Sequence, residues 1–359
     1  PKAKKALDQE MDRLRSIHTW DETKVRSRKD VVKQYQAANQ KAHIGRIFKI
    51  LVEKNSELPE DDPNRKFKGR AVFDGSDVRD ENSEVALFQE LSSCPATMQA
   101  SKAADVWGMM EGHSTQQADA VQAYTQAKLG GTDTWVMLPK EDWPKDWHSL
   151  PYDDPVCPLV LALYGHPDSG GFWEKHCDAH LKKVGFKPMR PWRSCYYHSD
   201  LDLFLIVYVD DFKMSGKTDN MKQGWQLIQK GVKIEEPTDM NRFLGCEHRL
   251  STQKVKWQGM CPTDLDPPAP KAGKKADGDS VATAQHNPRE QEAVNIAKRQ
   301  CKSVKVIEYD MSEFFKSCVS LYAELTGTDP NRYPKVPTPF GPEATELEYG
   351  VGGLSLIHI

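Results

Sequence analysis

Apolar positions at the start of the chain recur at helical spacing. Leu7, Met11, Leu14 and Ile17 stand with charged residues between them, which predicts one helix or two over residues 1–35. The period then shortens. Residues 44–52 read as a strand, Pro59-Glu-Asp-Asp-Pro63 as a turn, and residues 67–73 as a second strand, together a hairpin with a basic second arm. Residues 94–110 predict a helix starting near Cys94-Pro95, with Met98, Ala104, Val106 and Trp107 as its apolar positions. A strand is expected near 117–124 and a short one at 135–138, closed by Pro139. An apolar stretch at 156–164 and an amphipathic helix over 172–184 follow. Residues 195–197 and 203–208 read as strands joined by the polar turn His198-Ser-Asp200. A helix over 221–231 and a strand over 241–250 complete this part.

The pattern dissolves over 262–303, where Pro267-Pro-Ala-Pro270, Lys271, Lys274 and Lys275 mark a polar linker or insertion. Order is expected again from Val304, with a helix over 312–325 and a proline-rich exit over 330–342. The divisions that follow are an N-terminal helical entry segment (1–35), a main body (36–250), an exit with a disordered linker (251–303), a further segment (304–345) and a tail (346–359). The tail, from Gly352 to Ile359, resembles translated adapter sequence, the alternative being a genuine disordered terminus. Helices and strands alternate around antiparallel hairpins, so the expected class is α+β and not a doubly wound parallel sheet.

Composition adds limits. Hydrophobic content is 38%, below the roughly 45–50% of typical globular chains, in keeping with a solvated segment. The formal net charge is −3, so any nucleic-acid surface must be local. Residues 1–70 do carry 18 Lys and Arg against 11 Asp and Glu. The eight cysteines form no Cys-x-x-Cys pair and no leader is seen, which reads as free thiols in a reducing, intracellular setting. No apolar run approaches the length of a membrane span. Pro1 in place of a methionine suggests a piece of a longer product.

The sharpest chemical signal is Leu203-Phe-Leu-Ile-Val-Tyr-Val-Asp-Asp211, an apolar strand ending in two adjacent carboxylates. Neighbours in a strand face opposite sides, so only a tight turn lets Asp210 and Asp211 approach one site. Either the pair is a plain polar turn, or divalent cations offset its repulsion; magnesium takes such carboxylate oxygens together with phosphate oxygens. Asp119, about ninety residues earlier, is a candidate third carboxylate on a neighbouring strand. Tyr124 could lie under a nucleotide sugar and exclude a 2′-hydroxyl, or could be a core aromatic. Three such aspartates suit a two-metal site for in-line nucleotidyl transfer. His176 and His180 have a zinc-like spacing but no clear third ligand, and read better as part of a helix packed by Phe172, Trp173, Leu181 and Val184.

These pieces, in this order, resemble the reverse transcriptase of copia-type retrotransposons. Residues 6–20, with Glu10-Met-Asp-Arg-Leu14 and Thr19-Trp20, look like the family's entry helix. Phe67-Lys-Gly-Arg-Ala-Val72 resembles its Tyr-Lys-Ala-Arg-Leu-Val fingers strand, and residues 119–124 resemble Asp-Val-Lys-Thr-Ala-Phe. Trp135-Val-Met-Leu-Pro139, Leu161-Ala-Leu-Tyr-Gly165 with Phe172-Trp173, Gly185-Phe186, Cys195-Tyr-Tyr197, Tyr208-Val-Asp-Asp211, Phe243-Leu-Gly245 and Val336-Pro-Thr-Pro339 follow in family order. Three departures stand out beside the unusual 262–303 insertion. Val121 replaces a usual basic residue, Thr125-Gln-Ala127 replaces Leu-Asn-Gly, and His166-Pro-Asp-Ser-Gly-Gly171 replaces Leu-Lys-Gln-Ala-Pro-Arg. They bear on template and nucleotide contacts more than on metal binding.

The resemblance implies a right-hand polymerase fold with fingers, a palm built on an antiparallel sheet, and a partial thumb. It implies an RNA-directed DNA polymerase using two magnesium ions, or manganese in their place, at Asp119, Asp210 and Asp211. Substrate contacts would come from Tyr124, Lys68, Arg70, Tyr164, Gly165 and Tyr208, and a primer grip from Phe243, Leu244 and Gly245. Lys66, Lys68 and Arg70 share a face by alternation, which an exposed basic strand edge would also explain. Expected partners are an RNA template, a DNA or tRNA primer, deoxynucleotides, and the integrase and ribonuclease H segments of the same polyprotein, with no membrane. The expected location is cytoplasmic, in a virus-like particle, or nuclear. The alternative reading is a catalytically inactive nucleic-acid-binding remnant of such an element.

Overall fold

The computed structural model describes residues 2–55, 59, 61–88, 96–190, 192–256 and 301–332. The expected linker core, the Val336-Pro-Thr-Pro339 block, the tail, and the helix start at Cys94-Pro95 lie outside the described residues.

The chain is mixed α+β. In order it forms α1 (Lys2–Ser16), β1 (Arg26–Ser27), α2 (Arg28–Ala38), β2 (Ala42–Lys54), β3 (Lys66–Phe73), β4 (Arg79–Asp80), α3 (Met98–Gly108), β5 (His113–Asp119), β6 (Asp133–Met137) and β7 (Pro155–Pro158). Then come α4 (Ser169–Lys183), β8 (Lys187–Pro188), β9 (Cys195–His198), β10 (Leu203–Tyr208), β11 (Asp211–Lys217), α5 (Thr218–Gln229), β12 (Thr238–Asp239), β13 (Arg242–Phe243), β14 (Cys246–Lys256), β15 (Cys301–Asp310) and α6 (Ser312–Thr326).

Among the described residues these strands form three sheets. The first runs β1-β7-β6-β2-β3, with β4 also on β2, and contains one parallel pair, β2 with β6. Beyond its core half, the β2–β3 hairpin extends as an arm whose side chains are largely exposed. Helix α1 lies against this arm. It buries Met11 and Leu14, and its backbone comes so close that a Cβ on Gly69 would sit 2.5 Å from the Ala6 carbonyl oxygen.

The second sheet runs β12-β5-β11-β10-β9-β8 and is antiparallel throughout. Its centre is covered on both faces, which is why β10 reads as an unbroken apolar run. On one face Leu203, Leu205, Val207, Phe212 and Met214 pack with Trp173 and Leu181 of α4 and Trp225 and Ile228 of α5. On the other, Cys195, Phe204 and Ile206 pack against Ala100 and Ala104 of α3. The third sheet, β13-β14-β15, leans on α3 through the Tyr309 hydroxyl, which donates to Asp105 Oδ2 at 2.8 Å.

Several expectations change. The strand expected over 117–124 occupies His113–Asp119 and ends at Asp119, because Gln122 enters the left-handed region and starts a 3-10 turn over Ala123–Gln126. The single strand expected over 241–250 is a hairpin. Leu244 and Gly245, with φ of 51° and 78°, form its two-residue loop between the paired Phe243 and Cys246. The ends of the expected 251–303 linker are strand, since β14 continues to Lys256 and β15 starts at Cys301, paired with each other. Asp168 is buried and Ser169 opens α4, its hydroxyl donating to the Leu163 carbonyl at 2.8 Å. Among the described residues no helix is long and apolar enough to cross a membrane. Five described cysteines, 157, 177, 195, 246 and 318, are free thiols.

Candidate active site

The two adjacent aspartates sit at a hairpin tip formed with β11, a strand that the hydrophobic pattern alone left unassigned. Tyr208 pairs with Asp211, leaving Val209 and Asp210 as a two-residue loop. Val209 has φ of 59°, a conformation that costs a β-branched residue on the order of 1–3 kcal/mol. The loop is held from both sides. Trp173 Nε1 donates to the Val209 carbonyl at 2.7 Å, and the Ala120 amide donates to the Asp210 carbonyl at 2.6 Å.

Asp119 is the register partner of Asp211 on β5. Directly opposed residues of an antiparallel pair share a face, so Tyr208, Asp211 and Asp119 form one row across three strands. The next row, Val207, Phe212 and Ala118, points into the core. Asp119 and Asp210 are exposed and Asp211 is partly buried. Burial, then the charges of Asp210 and Asp119 and a hydrogen bond with Asp119, push the Asp211 carboxyl up to about 6. The three carboxylates therefore lie close enough to repel.

Their donors are hard oxygens, and the repulsion at Asp211 is what a divalent cation would relieve, so the residue types fit magnesium or manganese. Among the described residues, however, no three His, Cys, Asp or Glu side chains already point at a common ion position. Asp119, Asp210 and Asp211 are neighbours that would have to turn inward to share a ligand. His176 and His180 do not form a site: His180 Nε2 lies 3.1 Å from the Leu227 carbonyl and His176 stacks on Trp173.

Around the aspartates the structure brings together residues from separate elements. Tyr124, on the turn after β5, meets Tyr164 with ring centroids 4.6 Å apart. Burial, and then the Asp210 charge, raises both phenols above their usual range. Lys68 projects from β3 with its ammonium lowered by burial and by neighbouring Lys54 and Arg70, while Glu10 and Asp210 oppose this. Lys66, Lys68 and Arg70 are exposed on one face of the strand, and Gly69, Ala71 and Phe73 are buried on the other. Gly165 is where the loop after β7 meets β3. A Cβ there would fall 2.0 Å from the Phe73 carbonyl oxygen, and its φ is 89°, so the glycine lets the loop seat on β3 while the Phe73 amide donates to the Tyr164 carbonyl at 2.7 Å. Phe243 is buried beneath its hairpin, 5.2 Å from Lys213 Nζ, and Leu244 is left exposed at the tip.

Two arrangements escaped the sequence. Residues 233–235 close the end of β5: the Val121 amide donates to the Lys233 carbonyl and the Glu235 amide to the Asp119 carbonyl, at 2.9 and 2.8 Å. Two residues beyond Asp211, Lys213 is fully buried and paired with the equally buried Asp105 at 2.5 Å. Ser101 accepts from Lys213, and Tyr309 and His248 reach Asp105. A lysine inside Phe212-Lys-Met214 and an aspartate inside Ala104-Asp-Val106 were the available signal: a charge amid apolar neighbours calls for a partner. His166, one of the departures from the resemblance, is core as well. It lies 4.9 Å from the Phe73 ring, and burial pushes its imidazole down to about 4. No protein-family model matches this chain, and neither does any curated protein.

Proposed function

We propose that the chain is the reverse transcriptase region of a copia-type retrotransposon polyprotein, an RNA-directed DNA polymerase that joins deoxynucleotides to a primer 3′-hydroxyl. The observation that carries this reading is the row of Asp119 opposite Asp211, with Asp210 in the adjoining two-residue turn. In this reading the second sheet with α3, α4 and α5 is the palm. The first sheet with its projecting hairpin is the fingers, and the third sheet with α6 is the start of a thumb.

Bound magnesium, held by Asp119, Asp210 and Asp211, would acidify the primer hydroxyl and offset charge on the triphosphate. The chain's own residues do the rest. Lys68 feels the Asp210 charge, and Arg70 and Asp210 both bear on the Tyr164 phenol, so the two cations would offer positive charge to phosphates near the aspartates; Arg suits two-point contact and Lys a single charge. Tyr124, its ring tilted 45° against that of Tyr164, feels the Asp210 charge and would press on the sugar and exclude a 2′-hydroxyl. Leu244 and Gly245, at the tip of the β13–β14 hairpin, are placed to meet the primer backbone. The test is primer extension on an RNA template with magnesium or manganese. Purified chain that extends no primer with either metal would leave the inactive, nucleic-acid-binding remnant as the better reading.

A further inference from the structure

Arg13 lies on α1, 109 residues before Gln122, yet the two side chains meet. The guanidinium is used in an ordered way. Nε and Nη2 grip the Glu10 carboxylate at 2.9 and 2.8 Å, which fixes the plane of the fork, and Nη1 is thereby aimed at Gln122 Oε1. Gln122 is a hard residue to hold. Its φ and ψ of 54° and 53° are left-handed, a region that residues with a Cβ avoid.

That backbone twist is the step from β5 into the turn carrying Tyr124. The Gln122 carbonyl accepts from the Thr125 amide and hydroxyl at 3.1 and 3.0 Å, closing the turn. Gln126 Nε2 ties the far end back to the start, donating to the Val121 and Lys233 carbonyls at 2.8 and 2.9 Å. The Gln122 side chain itself is held by Arg13. Arg13 and Arg70 both bear electrostatically on the Tyr164 phenol, so the clamp lies within electrostatic reach of the tyrosine pair.

We propose that Arg13 is a positioning residue for Tyr124: with Glu10 fixing its fork, it holds Gln122 left-handed and so sets the ring that faces the nucleotide sugar. This rests on the polymerase reading for its effect on sugar choice, but not for the clamp itself. The clamp requires fork geometry rather than charge, so a lysine at position 13 fails as a methionine does. It also requires an acceptor at position 122, so a glutamate there suffices.

The experiment compares the full chain with Arg13→Met, Arg13→Lys and Gln122→Glu by two readouts. The first is amide hydrogen exchange over residues 120–127. The second is the ratio of kcat/KM for deoxy- over ribonucleotides in single-nucleotide primer extension. Arg13→Met and Arg13→Lys are expected to speed exchange and to lower the sugar preference about ten-fold, through KM more than kcat. Gln122→Glu should stay near the parent on both. Should Arg13→Met fold poorly, Gln122→Leu, which leaves the Glu10–Arg13 pair whole, is expected to give the same two changes. Unchanged exchange, or faster exchange with sugar preference intact, overturns the proposal. A parent chain that extends no primer removes the proposed function, and exchange over 120–127 then decides the clamp by itself.

Discussion

Asp211 and Lys213 are two residues apart on one face of β11 and show opposite ways of carrying charge. Lys213 is 0% exposed and has its counter-ion within the fold: Asp105, at 1%, touches it at 2.5 Å. Burial raises Asp105, but the His248 hydrogen bond and the Lys213 charge outweigh it and hold the carboxyl below its ordinary value. At Asp211 the neighbours are two more carboxylates, and the group is driven up to about 6. One cluster is complete within the chain. The other sets like charges side by side, and a carboxyl perturbed in this way is a common mark of functional sites.

The contrast can be broken most forcefully at the closed cluster. Asp105→Asn leaves Lys213 buried without a counter-ion and is expected to cost about 3–5 kcal/mol in urea unfolding. Replacing both, Asp105→Leu with Lys213→Met, should recover most of that loss. A double variant as unstable as the single one would mean that the network matters for more than its charges.

The open cluster should respond to cations. Magnesium at about a hundred times its Kd would stabilise the chain by about 2.7 kcal/mol, read as a rise in Tm. Asp211→Asn should abolish that rise. A smaller effect comes from pH in metal-free buffer. Because the folded carboxyl of Asp211 is raised above its unfolded value, the folded state binds more protons between about 4 and 6. Its contribution to stability is present below that window and is lost as pH rises through about 6. Unfolding midpoints from pH 4 to 7 should show the loss in the parent and a flatter profile in Asp211→Asn.

The smallest effect is at the turn. Val209→Gly removes the strain of a β-branched residue at φ 59° but adds unfolded-state freedom, for a net gain of about 1 kcal/mol. Primer extension should fall in the same variant, as the turn loses rigidity. Greater stability with undiminished activity would show that the strained turn is not needed to place Asp210.

Much of this contrast could be read from the sequence, unevenly. The apolar run into Asp210-Asp211 announces a buried strand ending in charge, and the helices at 169–183 and 218–229 follow from local period. What local period cannot reveal is which distant residues meet. Asp105 and Lys213 are joined by packing α3 on β11, and Arg13 and Gln122 because α1, packed on the β2–β3 hairpin, reaches the turn after β5. Neither pair has any sequence spacing to betray it. Gly165 shows the complementary case, since its residue type signals a close approach and the structure adds β3 as a surface that it meets. The strand over 117–124 was misjudged because Gln122 takes a backbone conformation that its residue type does not advertise.

The central claim is that Asp119, Asp210 and Asp211 are the catalytic carboxylates of a DNA-synthesising site. The most direct measurement is extension of a DNA primer on an RNA template by the purified chain and by Asp210→Asn, with magnesium or manganese and matched thermal melts. The account expects extension by the parent, a loss on the order of a thousandfold in the variant, and, in metal-free buffer, a Tm at least as high as the parent's once a repelling charge is gone. Equal extension by the folded variant, or none by the parent with either metal, would contradict it.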